Sequence, residues 1–186
     1  MTAPPIRLAT VDDAERIAGL HADSWRRHYR GAYADSYLDG DVEADRRAVW
    51  RSRLTAPDGT RTLLAEHGER LVGFLHVVFD HDTRWGSLVD NLHVVPDRHR
   101  TGVGTRLLTR AAEAVTDRAV GAGMYLWVLR QNTGAQAFYA ARGAICVETA
   151  TVEPPGGDAS RLDGTPRKLR MVWADSTVRC PPSERR

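Results

Sequence analysis

The chain has 186 residues, of which 42% are hydrophobic and 27% charged, and its formal net charge is +2. This length favours one domain with a substantial core, and the small net charge argues against a nucleic-acid-binding protein, which carries a dense basic face. No apolar run reaches the length of about 18 residues that spans a membrane. The two cysteines, Cys146 and Cys180, are too few for a disulfide framework or a zinc site. We therefore expect a cytoplasmic protein that binds no membrane, no nucleic acid and no metal.

Strand-like and helix-like segments alternate along the chain. The first are a short strand over 6–10 and a helix in which Ile17, His21, Trp25 and Tyr29 recur at four-residue spacing. The later elements are a helix over 43–54, a hairpin over 61–66 and 70–79, a strand over 86–95, a helix over 105–116, a strand over 124–129, a helix over 133–142, and strands over 145–152 and 168–173. This order predicts a mixed α/β sheet. We expect one domain over residues 1–174 and a flexible C-terminal tail over 175–186.

The turn between the strand over 86–95 and the following helix is the most informative segment. It contains Gly102 and Gly104, one residue apart, at the start of a helix whose first N–H groups have no partner within the helix. Such a turn lets the backbone approach a phosphate closely. A dinucleotide-binding fingerprint needs a third glycine where Leu107 stands, and a Walker A loop needs a lysine where this chain has none, since its single lysine is Lys168. The ligand is therefore a phosphate compound of another kind.

Two segments resemble motifs of one enzyme family. Residues 99–104 resemble the pyrophosphate-binding motif of the GCN5-related N-acetyltransferase (GNAT) superfamily, Gln/Arg-x-x-Gly-x-Gly/Ala, with His99 at the first position. Residues 132–143 resemble the family's Asn-x-x-Ala-x-x-Phe-Tyr-x-x-x-Gly segment, and Ala144 replaces the usual Phe. Each lies in the strand or helix context that the family requires. Together they are more specific than either alone, and the resemblance is clearest over 86–146.

The resemblance implies a fold and a co-substrate. The GNAT fold has a central, mostly antiparallel sheet of seven strands, flanked by about four helices, with the fourth and fifth strands splayed apart around coenzyme A. The implied reaction moves the acetyl group of acetyl-CoA to a primary amine by direct attack in a ternary complex. The residues expected to contact coenzyme A are Leu92, His93, Val94, His99, Arg100, Thr101, Gly102, Val103, Gly104, Thr105, Asn132 and Phe138. For Asn132 a role as helix N-cap is an equal alternative, and Phe138 is expected to be a core residue as well.

Two residues are the candidates for proton transfer. The resemblance places Tyr139 at the family tyrosine that faces the coenzyme sulfur, where a phenol with an ordinary pKa of ~10 stays protonated and acts as general acid. Asp90 lies where several polyamine-acetylating relatives carry a catalytic glutamate, and it is the candidate general base. Period-two alternation puts Asp90 on one strand face with Leu92 and Val94. His93 and a water chain are alternative bases, and a carboxylate satisfied by a neighbouring arginine is the structural alternative for Asp90.

The acceptor is left open by the sequence. The resemblance places it near the first two helices, where Trp25 and Tyr29 offer aromatic faces to a cationic amine, although both would equally serve to pack the helix on the sheet. The acceptor class extends from small-molecule amines to peptides, and the acyl group is acetyl or larger. A homodimer is compatible with the sequence. The rival function is a non-catalytic acyl-CoA sensor on the same fold, because fold alone does not fix function. The bias toward arginine is typical of a GC-rich bacterial genome.

Overall fold

The fold is built around one seven-stranded sheet. A computed structural model describes residues 4–178. In chain order the elements are β1 (Ile6–Leu8), α1 (Ala14–His28), α2 (Asp35–Asp39), α3 (Val42–Thr55), β2 (Thr60–His67), β3 (Arg70–Asp82), β4 (Gly86–Val94), α4 (Val103–Arg118), β5 (Met124–Leu129), α5 (Thr133–Ala140), β6 (Ile145–Thr151) and β7 (Arg167–Trp173). The strand order is β1-β2-β3-β4-β5-β7-β6.

The sheet opens between its two central strands. All neighbouring strands pair antiparallel except β4 and β5, which are parallel and pair only through Ser87 with Met124 and Leu88 with Tyr125. β4 continues to Val94 beyond this contact, so the two strands diverge into a V-shaped gap. The predicted GNAT fold, with seven mostly antiparallel strands and a splayed fourth and fifth strand, is confirmed.

Helices cover the two faces of the sheet. On one face, α4 buries Leu107, Leu108 and Val115 against the strands. This burial follows from the apolar stripe that its sequence carries at helical spacing. On the other face, α1 and α3 pack together, and Ile17 and Trp50 meet the sheet in a second apolar cluster. The gap between β4 and β5 is therefore bordered by α4 and α1, one from each layer.

The observed elements differ from the predicted ones by one additional helix and at several boundaries. The five-residue helix α2 was missed, because it is short and places only Tyr37 and Leu38 in the core. α4 begins at Val103, two residues earlier than predicted, and Gly102 is its N-cap. In the predicted tail, Ser176 is buried and donates a hydrogen bond to the Ala122 carbonyl. Positions 179–186 of that tail lie outside the described residues.

Candidate active site

The gap between β4 and β5 forms a cleft with a volume of about 570 Å³. Its size is that of a small-molecule binding site. The walls come from α1, β4, the β4–α4 turn, β5 and α5. Thirteen of the predicted site residues line it, and these are Tyr29, Asp90, Leu92, His93, Val94, His99, Arg100, Gly102, Gly104, Thr105, Asn132, Phe138 and Tyr139. The fold therefore brings the two sequence motifs, which are about 30 residues apart in the chain, to one cleft.

One end of the cleft combines features that suit an anion. The β4–α4 turn reverses through left-handed conformations at Arg100 (φ 60°) and Gly102 (φ 86°). His99 closes the turn through a hydrogen bond between its Nε2 and the Val94 carbonyl oxygen (2.9 Å). The first amides of α4 have no partner within the helix, and the helix dipole adds partial positive charge at this end. Arg98 and Arg100 line the same end.

The second residue of α4 allows helix α5 to approach closely. A Cβ atom at Gly104 would lie 3.2 Å from Cζ of Phe138 and 3.7 Å from Cγ2 of Val94. Phe138 is half-buried and packs against the main core. The absence of a side chain at Gly104 therefore lets α4 pack closely on α5, and it also leaves the N-terminus of α4 accessible to a ligand. These features suit a ligand that carries phosphate groups.

Asn132 begins helix α5 at the edge of the cleft. Its side-chain oxygen accepts a hydrogen bond from the Ala135 N–H (3.1 Å), which makes it the N-cap. It also lines the cleft. Both roles that the sequence allows for Asn132 are therefore compatible with its position.

Tyr139 lies at the floor of the cleft. Its ring is buried between Phe138 and Trp173, with ring centroids 5.2 and 6.1 Å away. Burial raises the pKa of the phenol above its ordinary value, with a further contribution from Tyr29. Within residues 4–178 the hydroxyl makes no hydrogen bond, so its proton remains available to a group in the cleft.

A β-bulge changes the orientation of Asp90. Pairing of β3 with β4 passes from His76–Asn91 to Val77–Val89, so Asp90 has no partner on β3. The Asn91 amide donates to the Asp90 carboxylate (2.5 Å), a contact that consecutive side chains of a regular strand do not make. Asp90 therefore faces the α1–α3 side with Asn91, and the predicted face shared with Leu92 and Val94 is wrong.

An arginine accompanies Asp90 at the opposite end of the cleft from the turn. Nη1 of Arg53, in α3, lies 2.7 Å from the Asp90 carboxylate, whose side chain is 31% exposed. The neighbouring-arginine alternative is thus present in the structure. The ion pair leaves part of the carboxylate open to the cleft, so it orients Asp90 without closing it off.

His93 is packed among rings on the same side. Its ring centroid lies 4.7 Å from that of His21 and 5.2 Å from that of Phe74, and its Nδ1 is hydrogen bonded to the Ser24 hydroxyl (2.7 Å). Burial lowers the pKa of His93 to about 3, assisted by the charge of His28. The imidazole is therefore neutral at physiological pH and accepts a proton only weakly.

The aromatic residues at the C-terminal end of α1 form two layers. Tyr29 lines the cleft, whereas Trp25 is buried beneath it, stacked on Tyr29 at 5.2 Å. Arg46 covers Trp25, with its Cζ 4.4 Å from the ring centroid. An acceptor in the cleft would therefore meet Tyr29 directly, and Trp25 would act by supporting that ring.

Some lining residues were not identified from the sequence, and some predicted ones lie elsewhere. Val103 is buried in the core and Thr101 bonds the Arg98 carbonyl through its hydroxyl (2.7 Å); neither lines the cleft. The lining residues that were missed include five with polar or aromatic side chains, Ser24, His28, Asn91, Trp127 and Arg142. Ser24 and His28 share a helix face with the aromatic stripe, and the other three carry no local signal of their position.

Within residues 4–178, no helix has the length and apolar character needed to cross a membrane. No group of three or more His, Cys, Asp or Glu side chains in that range is arranged to hold a metal ion.

Comparison with known proteins gives concordant matches. Residues 22–144 match the model of the acetyltransferase (GNAT) family. YuaI, an uncharacterized N-acetyltransferase of Bacillus subtilis, is 27% identical over 129 residues, which are 68% of this chain and 72% of YuaI. The PaiA N-acetyltransferase of Thermoplasma acidophilum, solved in complex with coenzyme A, has a TM-score of 0.70 at 19% identity over 93% of this chain and 99% of its own. A GCN5-related N-acetyltransferase of Rhodopseudomonas palustris has a TM-score of 0.71 at 22% identity, over 94% and 97% of the two chains.

The structural matches are below 25% identity and establish the fold, whereas the family match covers more than half of the chain. That match includes the β4–α4 turn and helix α5, which form the anion end and the floor of the cleft. The chain therefore belongs to the GNAT family and is an acetyl-CoA-dependent acetyltransferase.

Proposed function

We propose that the enzyme acetylates a primary amine, of a small molecule or a peptide, by direct attack on acetyl-CoA, with Tyr139 as general acid and Asp90 as general base. The observation that carries this proposal is the placement of both groups in one cleft with the anion-binding turn. The turn fits the phosphates, and the gap between β4 and β5 fits the extended arm that leads to the thioester.

The chemistry requires one nucleophilic attack and two proton movements. The amine nitrogen attacks the thioester carbonyl carbon, and the carbon–sulfur bond breaks as the amide forms. Asp90 accepts a proton from the amine, directly or through water, and Tyr139 gives its hydroxyl proton to the leaving thiolate. The products are an amide and free coenzyme A, and the tyrosinate recovers a proton from solvent.

The oxyanion formed during attack needs a hydrogen-bond donor. Because β5 diverges from β4 after Leu88, the backbone groups of β4 on that side have no strand to pair with. An N–H in the segment Leu92–Val94 is the proposed donor, and a single preorganised donor of this kind is typically worth about 10²–10³ in kcat. The same strand edge would pair with the amides of the pantetheine arm.

Asp90 is favoured over His93 as the base on structural grounds. His93 is hydrogen bonded to Ser24 and has its pKa lowered to about 3 by burial, so it is a weak proton acceptor. The Asp90 carboxylate faces the cleft and is oriented by Arg53 and Asn91. The β-bulge at Asp90 interrupts the pairing of β4 with β3 and re-orients the carboxylate toward the cleft.

The replacement Asp90→Asn tests the base. We expect kcat to fall by about 100-fold or more, because the amide cannot accept the proton from the amine. Steady-state kinetics with the best amine from a panel measure the change. Asp117→Asn, which replaces an exposed carboxylate on α4, is the matched control and should leave kcat unchanged. Wild-type kcat in Asp90→Asn would transfer the role to His93 or to a water chain.

The second candidate function, acyl-CoA sensing without turnover, predicts a different result. A sensor would bind acetyl-CoA tightly and release no thiol with any amine. The cleft argues against it, because a sensor has no use for a buried phenol with an uncommitted hydroxyl and a cleft-facing carboxylate.

A further inference from the structure

One aromatic cluster of the sheet is built, within residues 4–178, from strand and turn residues alone. Its members are Val78, Trp85, Leu88, Tyr125, Trp127 and Val172. Leu129 lies two residues after Trp127, on the same strand face, and packs against Trp25 of α1. The cluster therefore lies on the α1 side of the sheet, which is also the side of the Asp90 carboxylate.

Trp127 connects this cluster to the cleft. Its ring is half-buried and lines the cleft. The last parallel pair between β4 and β5 is Leu88 with Tyr125, and Asp90 and Trp127 lie two residues beyond it on the two facing strands. An acceptor whose nitrogen lies at Asp90 would therefore place its remaining atoms along Trp127.

Two cations of β7 lie against the Trp127 ring, and only one of them is neutralised. Cζ of Arg170 is 4.4 Å from the ring centroid, and the guanidinium lies 3.1 Å from Glu148 and 3.4 Å from Asp82. Nζ of Lys168 is 4.7 Å from the same centroid, and no carboxylate within residues 4–178 forms an ion pair with it. The ring attracts the ammonium, which still has N–H donors to offer. An unneutralised positive charge is thus held at the cleft wall.

The carboxylate of the cleft, by contrast, already has a cationic partner. Asp90 is the only acidic residue among the described lining residues, and Nη1 of Arg53 lies 2.7 Å from it. A diamine or polyamine would bring a second ammonium that meets no unpaired carboxylate there and is repelled by Lys168. An amine that carries a carboxylate would pair with Lys168 while its nitrogen lies at Asp90.

We propose that the acceptor is an amine that carries a carboxylate, and that Lys168, held on the Trp127 ring, binds this carboxylate. The inference rests on the proposed transfer to a primary amine and narrows its substrate class. The carboxylate belongs to an amino acid or to an acidic residue of a peptide, whereas polyamines are poor acceptors. Lys168 is then a specificity-determining residue, because it binds a remote group of the acceptor.

The test measures binding to the full chain in complex with coenzyme A, where no acetyl group can be transferred. The probes are ω-amino carboxylates of increasing chain length, each with the terminal amide and the diamine of the same length. Calorimetry or ligand-observed NMR gives the affinities. At the best length we expect the carboxylate to bind about 10-fold more tightly than the amide, the gain from one hydrogen bond to a charged group. The diamine should bind most weakly.

Three variants separate Lys168 from other charges. Lys168→Met keeps an unbranched chain over Trp127 and should remove the carboxylate preference without changing the affinity for the amide. Lys168→Arg keeps the charge and should retain the preference. Arg167→Met replaces an exposed neighbour on the opposite face of β7, so it is the matched control and should behave as the wild type does. Thermal melts verify that each variant folds.

Three results would overturn the proposal. An amide or diamine that binds the wild type as tightly as the carboxylate would show that the cleft has no site for the anion. A preference that survives in Lys168→Met would assign it to another group. An equal loss of preference in Arg167→Met would show that net charge is responsible.

Short peptides identify the source of the carboxylate. Amidated dipeptides with a free N-terminus and either glutamate or glutamine at the second position differ only in one carboxylate. A glutamate preference that Lys168→Met removes identifies a peptide acceptor, and a preference limited to free amino carboxylates identifies a small molecule; both support the proposal. A carboxylate preference in binding without acetyl transfer would contradict the proposed function alone. Faster acetylation of diamines than of amino carboxylates would contradict this inference alone.

Discussion

Replacing Tyr139 with Phe is expected to lower kcat by about 10²- to 10⁴-fold, the usual contribution of general acid–base catalysis. The substitution removes one oxygen from a buried ring and leaves the contacts with Phe138 and Trp173 in place. Coenzyme affinity should therefore change little, and the loss should appear in kcat. Stopped-flow or steady-state thiol release, with calorimetry for coenzyme A, separates the two.

The pH dependence sharpens this prediction. Burial raises the pKa of Tyr139 above its ordinary value, so the phenol stays protonated throughout the neutral and mildly alkaline range. The wild type should show no alkaline loss of activity from this residue below about pH 10. Tyr125→Phe, a phenol on β5 that is hydrogen bonded to His81 outside the cleft, is the matched control. Equal kcat in Tyr139→Phe and wild type at every pH would exclude Tyr139 as the acid.

Replacing Gly104 with Val is expected to weaken coenzyme A binding by about 10- to 100-fold, the loss that follows when one hydrogen bond to a charged phosphate is removed. The new Cβ would lie 3.2 Å from Cζ of Phe138, closer than such contacts normally are, and its methyl groups would cover the first amides of α4. Displacement of the Phe138 ring and obstruction of the α4 amides would both weaken coenzyme A binding. Calorimetric titration with coenzyme A measures the change.

A glycine elsewhere controls for the general effect of adding a side chain. A Cβ at Gly19, in α1, would have no other atom within 4 Å. Gly19→Val should bind coenzyme A as the wild type does, and thermal melts should show that both variants fold. Wild-type affinity in a folded Gly104→Val would mean that the phosphates do not approach the start of α4.

The sequence predicted those parts of the fold and site that local pattern determines. The β4–α4 turn depends on Gly102 and Gly104, and the floor of the cleft depends on the spacing of Asn132 and Tyr139 within one helix. The boundaries of β5, Met124–Leu129, were predicted to the residue because a continuous apolar run is flanked by turn residues. Features that depend on neighbouring residues in the sequence can be predicted without knowledge of tertiary contacts.

The parts that were missed depend on contacts distant in sequence. The bulge at Asp90 has no signature in the residues around it, and only pairing with β3 reveals that the period-two pattern is interrupted. Arg142 occupies a variable position of its motif, so the motif does not mark it. Its place in the cleft wall depends on a hydrogen bond to Thr105, 37 residues earlier. Trp25 and Tyr29 share a helix stripe, and only tertiary packing, including that of Arg46 against Trp25, distinguishes the buried Trp25 ring from the half-buried Tyr29 ring.

The central claim is that the cleft joins acetyl-CoA and an amine in one reactive complex. The most direct measurement incubates the enzyme with acetyl-CoA and a panel of polyamines, aminoglycosides, amino acids and short peptides, and quantifies free thiol and N-acetyl product together. The account predicts that one acceptor class gives thiol and amide in equal amounts, with initial-rate lines that intersect as both substrates vary. Tight coenzyme binding with no amide from any acceptor, or parallel lines that indicate an acyl-enzyme, would contradict it.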